Sequence, residues 1–191
     1  MSATRLHAGL PSEHMPLRQV FRSREIASEI FVSPLPLPYA LDDMHMQLIK
    51  DAKDAESSSS MPHTAGNRAA RAASIYADQL GRLPESTTVV IDHSEGDESI
   101  RTYIALEFTP DVFKEVSQVV RECSDSSLGL KEIPEQHEGP NALSALVIGP
   151  YMYKLDEKDV AEPAETIEAL KDGIVSGLAN CGIHEAAVEY I

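Results

Sequence analysis

The sequence predicts an α+β fold: N-terminal helices followed by a four-stranded antiparallel or mixed sheet with two helices packed on one face. Three observations predict it. Apolar residues recur at helical spacing up to residue 83, the period changes from helical to alternating from Thr87, and the elements then follow in ββαβαβ order. The hydrophobic share is 42%, enough to build a core, but aromatic residues are only 5% and Trp is absent, so that core rests on Val, Ile, Leu and Ala.

Residues 1–38 read as an N-terminal arm. Ser23 is suited to cap a short helix that carries Ile26, Ile30 and Phe31 on one side. Pro34, Pro36 and Pro38 then alternate with Leu35 and Leu37. Each proline fixes its own backbone and disfavours helix in the residue before it, so this stretch reads as a stiff, extended connector. Residues 39–86 read as a helical pair. Leu41, Met44, Leu48, Ile49 and Ala52 mark the first helix, which Ser57 to Ser60 end. The second spans about residues 67–83, with Ala69, Ala72, Tyr76, Leu80 and Leu83 on one stripe and Pro84 as its stop.

Residues 87–191 read as an acidic sheet domain. Val89, Val90 and Ile91 mark its first strand, and Ile100, Ile104, Leu106 and Phe108 share one face of the second, with Arg101, Tyr103 and Glu107 on the other. Between them, Ser94 to Glu98 include Gly96 and suit a hairpin loop. Thr109 as N-cap and Pro110 at the first helical position open a helix whose apolar face is Val112, Phe113, Val116, Val119 and Val120. Residues 124–141 hold Pro134, Gly139 and Pro140 among acids and read as a long surface loop. Leu143 to Ile148 form a buried strand, which Tyr151 to Leu155 extend as an edge. Pro163 starts a helix carrying Ile167, Leu170, Ile174 and Leu178; Gly182 ends it, and a last strand covers about residues 185–191.

Charge narrows the function. The chain of 191 residues carries a formal net charge of -15, which argues against tracking nucleic-acid phosphates or binding an anionic membrane surface. The acidity is uneven: 9 basic and 10 acidic residues lie in residues 1–90, against 7 and 21 in residues 91–191. Cys123 and Cys181 are too few for a disulfide framework, and no apolar run approaches the ~20 residues that span a bilayer. No secretory signal is legible in the first thirty residues. The expectation is a soluble protein of the cytoplasm or another reducing compartment.

Chemical motifs are absent from the spacing. There is no Gly-x-Ser-x-Gly, no His-Glu-x-x-His, and no glycine-rich turn at the Phe108-Thr109-Pro110 junction, where a dinucleotide fold would cradle phosphate. Tyr103 to Asp111 resemble the opening strand and helix of the 2H phosphoesterases, but none of the seven histidines begins the His-x-Thr or His-x-Ser motif which that family requires. Asp92, His93, Glu95, Asp97 and Glu98 crowd the hairpin tip without the EF-hand spacing, and a solvated turn is the plainer account of them. Cys123 and Cys181 both end helices, where the dipole raises a thiol pKa, so neither suits a nucleophile.

The expected function is therefore a non-enzymatic protein-protein interaction or assembly protein, whether structural component, effector, chaperone or acidic inhibitor. It would use an acidic surface and the N-terminal arm. Phe31, Leu35 and Leu37 are the candidate arm anchors, and Asp92, Glu95, Asp97 and Glu98 the candidate contact surface. The expected partner is another protein with a basic surface, not nucleic acid or membrane, with self-association into a homo-oligomer open; no cofactor is expected. The alternative is a small metal-assisted hydrolase using Asp92 and His93 with a distant carboxylate or histidine.

Overall fold

The computed structural model describes residues 26–32, 47, 61–123, 132–134 and 143–191. The fold is α+β. Among the described residues six strands, β1 (Ile26–Val32), β2 (Ser86–Asp92), β3 (Ser99–Phe108), β4 (Glu132–Pro134), β5 (Leu143–Lys154) and β6 (Ala186–Tyr190), form one mixed sheet in the order β4-β1-β5-β3-β2-β6. The four strands expected from the sequence are its contiguous block β5-β3-β2-β6. Within that block β3 is antiparallel to both β2 and β5, and β6 is parallel to β2.

Two segments depart from expectation. Residues 26–32 are a strand and not a short helix: β1 lies parallel to β5 and antiparallel to β4. Ile26, Ile30 and Phe31 fit a helical stripe and the segment shows no strict alternation, but its β-branched and aromatic residues Ile26, Ile30, Phe31 and Val32 suit a strand, and the pairing with β5 decides between the two. The stretch expected as a surface loop contributes β4. In β5, Ser144 to Ile148 pair on both sides, while Tyr151 to Lys154 pair only with β3 among the described strands, as an edge does. The helix expected from Leu41 to Ala52 lies outside the described residues, apart from Gln47, which is helical.

Besides Gln47, four helices lie among the described residues: α1 (Pro62–Leu80), α2 (Pro110–Cys123), α3 (Glu157–Ala161) and α4 (Ala164–Asn180). Helix α1 starts earlier than its apolar stripe suggests because Pro62 can occupy the first turn, where a backbone N–H has no helical partner. It ends before Pro84, at Gly81, whose φ of 63° is the left-handed conformation that glycine adopts without strain. Helix α2 begins as expected: Phe113 N–H donates to the Thr109 carbonyl at 2.8 Å.

One core joins the helices to one face of the sheet. Val89, Ile91, Ile100, Ile104, Leu106, Phe108, Leu146 and Ile148 from the strands cluster with Ala69, Ala73 and Tyr76 of α1, Phe113 and Val116 of α2, and Leu170, Ile174 and Leu178 of α4. Helices α1 and α4 approach at backbone distance. A Cβ on Gly66 would collide with the Leu170 carbonyl oxygen, one on Gly173 with the His63 carbonyl oxygen, and one on Gly177 would lie 2.7 Å from the Ala70 methyl. The opposite face of the sheet is buried too, at Val90, Tyr103, Ala105, Glu107 and Val147. Among the described residues no helix is long and apolar enough to cross a membrane.

Candidate functional site

The β2-β3 hairpin builds the first part of the site. Its register pairs Asp92 with Arg101, leaving residues 93–98 to turn the chain. Asp97 N–H donates to the Ser94 carbonyl at 3.0 Å, Ser94 N–H donates to Asp97 Oδ2 at 3.2 Å, and Gly96 takes a φ of 86°. Arg101 gathers two acids across this turn: its Nε donates to Asp92 Oδ2 at 2.9 Å and a terminal guanidinium nitrogen to Asp97 Oδ2 at 3.1 Å. Burial alone would disfavour the guanidinium charge. The Asp92 hydrogen bond and the charges of Asp92 and Asp97 outweigh it and hold Arg101 above its ordinary value.

The candidate residues therefore divide. Asp92 is only 6% exposed and turned toward Arg101, and Asp97 is half-buried, whereas Glu95 and Glu98 are exposed. Phe31 stands in β1 opposite Val147, inside the sheet register; Leu35 and Leu37 lie outside the described residues. His93 Nδ1 lies 3.3 Å from the Ser99 carbonyl, and its buried Nε2 has no hydrogen-bond partner among the described residues. No three His, Cys, Asp or Glu side chains among the described residues are grouped to hold a metal, so Asp92 and His93 have no third ligand there.

Long-range pairing adds the second part. Ser99 pairs with Lys154, and Leu155 N–H donates to the Glu98 carbonyl at 2.8 Å. This bond sets the hairpin tip beside Asp156 and the acidic helix α3, where Asp156, Glu157 and Glu162 are exposed and Asp159 is half-buried. The local negative potential registers on Tyr153: burial first, then the charges of Asp156 and Asp159, push its phenol above the ordinary value. On the other side of the tip, His93 N–H donates to the Ile191 carbonyl at 3.2 Å, and Tyr190 OH donates to Glu168 Oε1 of α4 at 3.2 Å. Two acidic clusters that are far apart in sequence, 92–98 and 156–168, thus meet at one end of the sheet. The third does not join them among the described residues, since Glu132 opens β4 at the edge farthest from β6.

A buried carboxylate escaped the sequence reading. Glu107 is 0% exposed and accepts hydrogen bonds from the Ser86 hydroxyl and, at 3.2 Å, from the Thr88 hydroxyl. Once the hairpin turn is placed, counting back along its register brings Ser86 opposite Glu107, so the signal was present. Tyr103, on the same face, has its phenol raised above the ordinary value by burial and then by the Asp92 charge, with Arg101 opposing.

In comparisons with known proteins, the chain matches no family model, no curated protein and no solved structure.

Proposed function

We propose that the protein is a non-enzymatic interaction or assembly module that docks a basic surface of another protein at this acidic end. The observation that carries the reading is the hydrogen bond from Leu155 to Glu98, which merges the hairpin acids with those of α3. Glu95, Glu98, Asp156, Glu157 and Glu162 are exposed there, against Lys154 and Lys158 as exposed bases nearby, Arg101 being held by Asp92 and Asp97. Carboxylates in this density raise the local concentration of a cationic partner and steer its approach. Exposed pairs contribute little each, so a rim of several charges is the form in which such docking becomes effective. A reducing compartment fits Cys181, which is a free thiol.

The test is affinity capture followed by quantitative mass spectrometry. The full chain is compared with a variant carrying Glu95→Gln, Glu98→Gln, Asp156→Asn and Glu157→Gln. Basic partners are expected on the native chain and lost from the variant; the same partners held equally by both would sink the proposal. Because β1 is part of the sheet, the arm is tested by Leu35→Ser with Leu37→Ser and not by deletion.

A further inference from the structure

The two edges of the sheet are unlike. At one, β4 is three residues long and ends in Pro134, which cannot donate a backbone hydrogen bond. At the other, β6 is five residues without Pro or Lys, pairs with β2 without a register shift, and has no strand beyond it among the described residues. Bulges, prolines and lysines are the usual devices that keep an edge from accepting another strand, and β6 has none of them.

The direction of its free backbone groups follows from two bonds. Ile191 N–H donates to the Ile91 carbonyl at 3.0 Å and its carbonyl accepts from His93 N–H, so both polar groups of Ile191 face β2. Along a strand this direction alternates. Glu189 and Ala187 therefore also face β2, and the N–H and C=O groups of Ala186, Val188 and Tyr190 point off the edge.

The flanks of that edge are acidic. Glu168 and Asp172 stand on α4 beside Tyr190, with Glu185 just before the strand and Glu189 within it. Lys171 is the only Lys or Arg between residues 159 and 191, and it is engaged by Glu168 and, at 3.6 Å, by Asp172. Tyr190 is 54% exposed, an aromatic face available to a cation. Two copies of this edge would bring like charges together, which is unfavourable across a strand pair.

We infer that β6 is the docking edge for an extended basic segment of a partner protein, which adds to the sheet as a further strand. The outward groups of Ala186, Val188 and Tyr190 supply the backbone hydrogen bonds. Lys or Arg at alternate positions of the partner meet Glu168 and Asp172 on the α4 side of the edge. The inference rests on the acidic docking surface proposed above and specifies how the partner is held.

The experiment is residue-resolved amide hydrogen exchange on the full chain, with a peptide of alternating Lys and Val as probe and two controls. One control replaces Lys by Glu; the other is N-methylated at alternate residues, which keeps the charge and removes strand pairing. With the Lys/Val peptide, exchange at Ala186, Val188 and Tyr190 is expected to slow by about tenfold or more, while Ala187 and Glu189 stay as they are. Val188→Pro removes an outward donor and none of the β2 ladder, and is expected to fold and lose the peptide. Equal binding of the N-methylated peptide, or binding without protection of the three amides, overturns strand addition and leaves the acidic docking surface standing. No binding of either basic peptide overturns both. Protection of the same amides in concentrated protein alone assigns the edge to a second copy and overturns the basic partner.

Discussion

Arg101 ties Asp92, at the end of β2, to Asp97 in the turn, and so decides which carboxylates of the hairpin stay available. Charge-assisted hydrogen bonds of this kind contribute about 1.5–3 kcal/mol when shielded from water, several times the value of an exposed pair. Asp92→Asn is therefore expected to lower stability by about 1.5–3 kcal/mol in urea unfolding, whereas Glu95→Gln at the exposed tip should stay within about 0.5 kcal/mol. Equal effects of the two would contradict the division of the tip into a structural and a presenting set. Composition shows that acids crowd residues 92–98, but it does not show which are spent internally. That depends on Arg101 lying opposite Asp92, a consequence of the hairpin register and legible only once the turn has been placed.

At the scale of elements, a long periodic segment declares itself in the sequence and a short one does not. Helix α2, with Thr109, Pro110 and a continuous apolar stripe, needs no tertiary partner to be recognised. The seven residues of β1 carry a helical spacing and no alternation, and the parallel partner that makes them a strand begins far along the chain at Leu143, so local spacing points the wrong way. The contact of α1 with α4 is a third case. Alanines predict the helix, but Gly66, Gly173 and Gly177 show their purpose only when the two backbones are seen to touch. A glycine within a helix costs about 1 kcal/mol relative to alanine, so Gly173→Ala would stabilise an isolated helix. In the protein the added methyl meets the His63 carbonyl, and overpacking of this kind costs about 1–3 kcal/mol. Thermal unfolding should show Gly173→Ala destabilised and Ser176→Ala, half-buried on the same helix with its hydroxyl bonded only to that helix's own Asp172 and Gly173 carbonyls, near neutral; a more stable Gly173→Ala would refute the close approach.

The acidity of the whole chain acquires a location only through the fold. The charge count assigns it to residues 91–191, but does not say whether its clusters lie together or apart. The β3-β5 pairing and the return of β6 beside β2 bring the hairpin tip, α3 and the start of α4 to one end of the sheet, and β6, which has no further strand beside it among the described residues, leads to it. Such a surface should bind cationic partners with a strong dependence on ionic strength, since exposed charges are screened within about 10 Å at 0.1 M salt. The most direct measurement is chemical-shift mapping of the full chain titrated with the Lys/Val peptide at low and high salt. The account predicts perturbations concentrated at residues 93–98, 155–159 and 186–191 that fade as salt rises. Perturbations centred on α1, or shifts at the acidic end that persist undiminished in high salt, would contradict it.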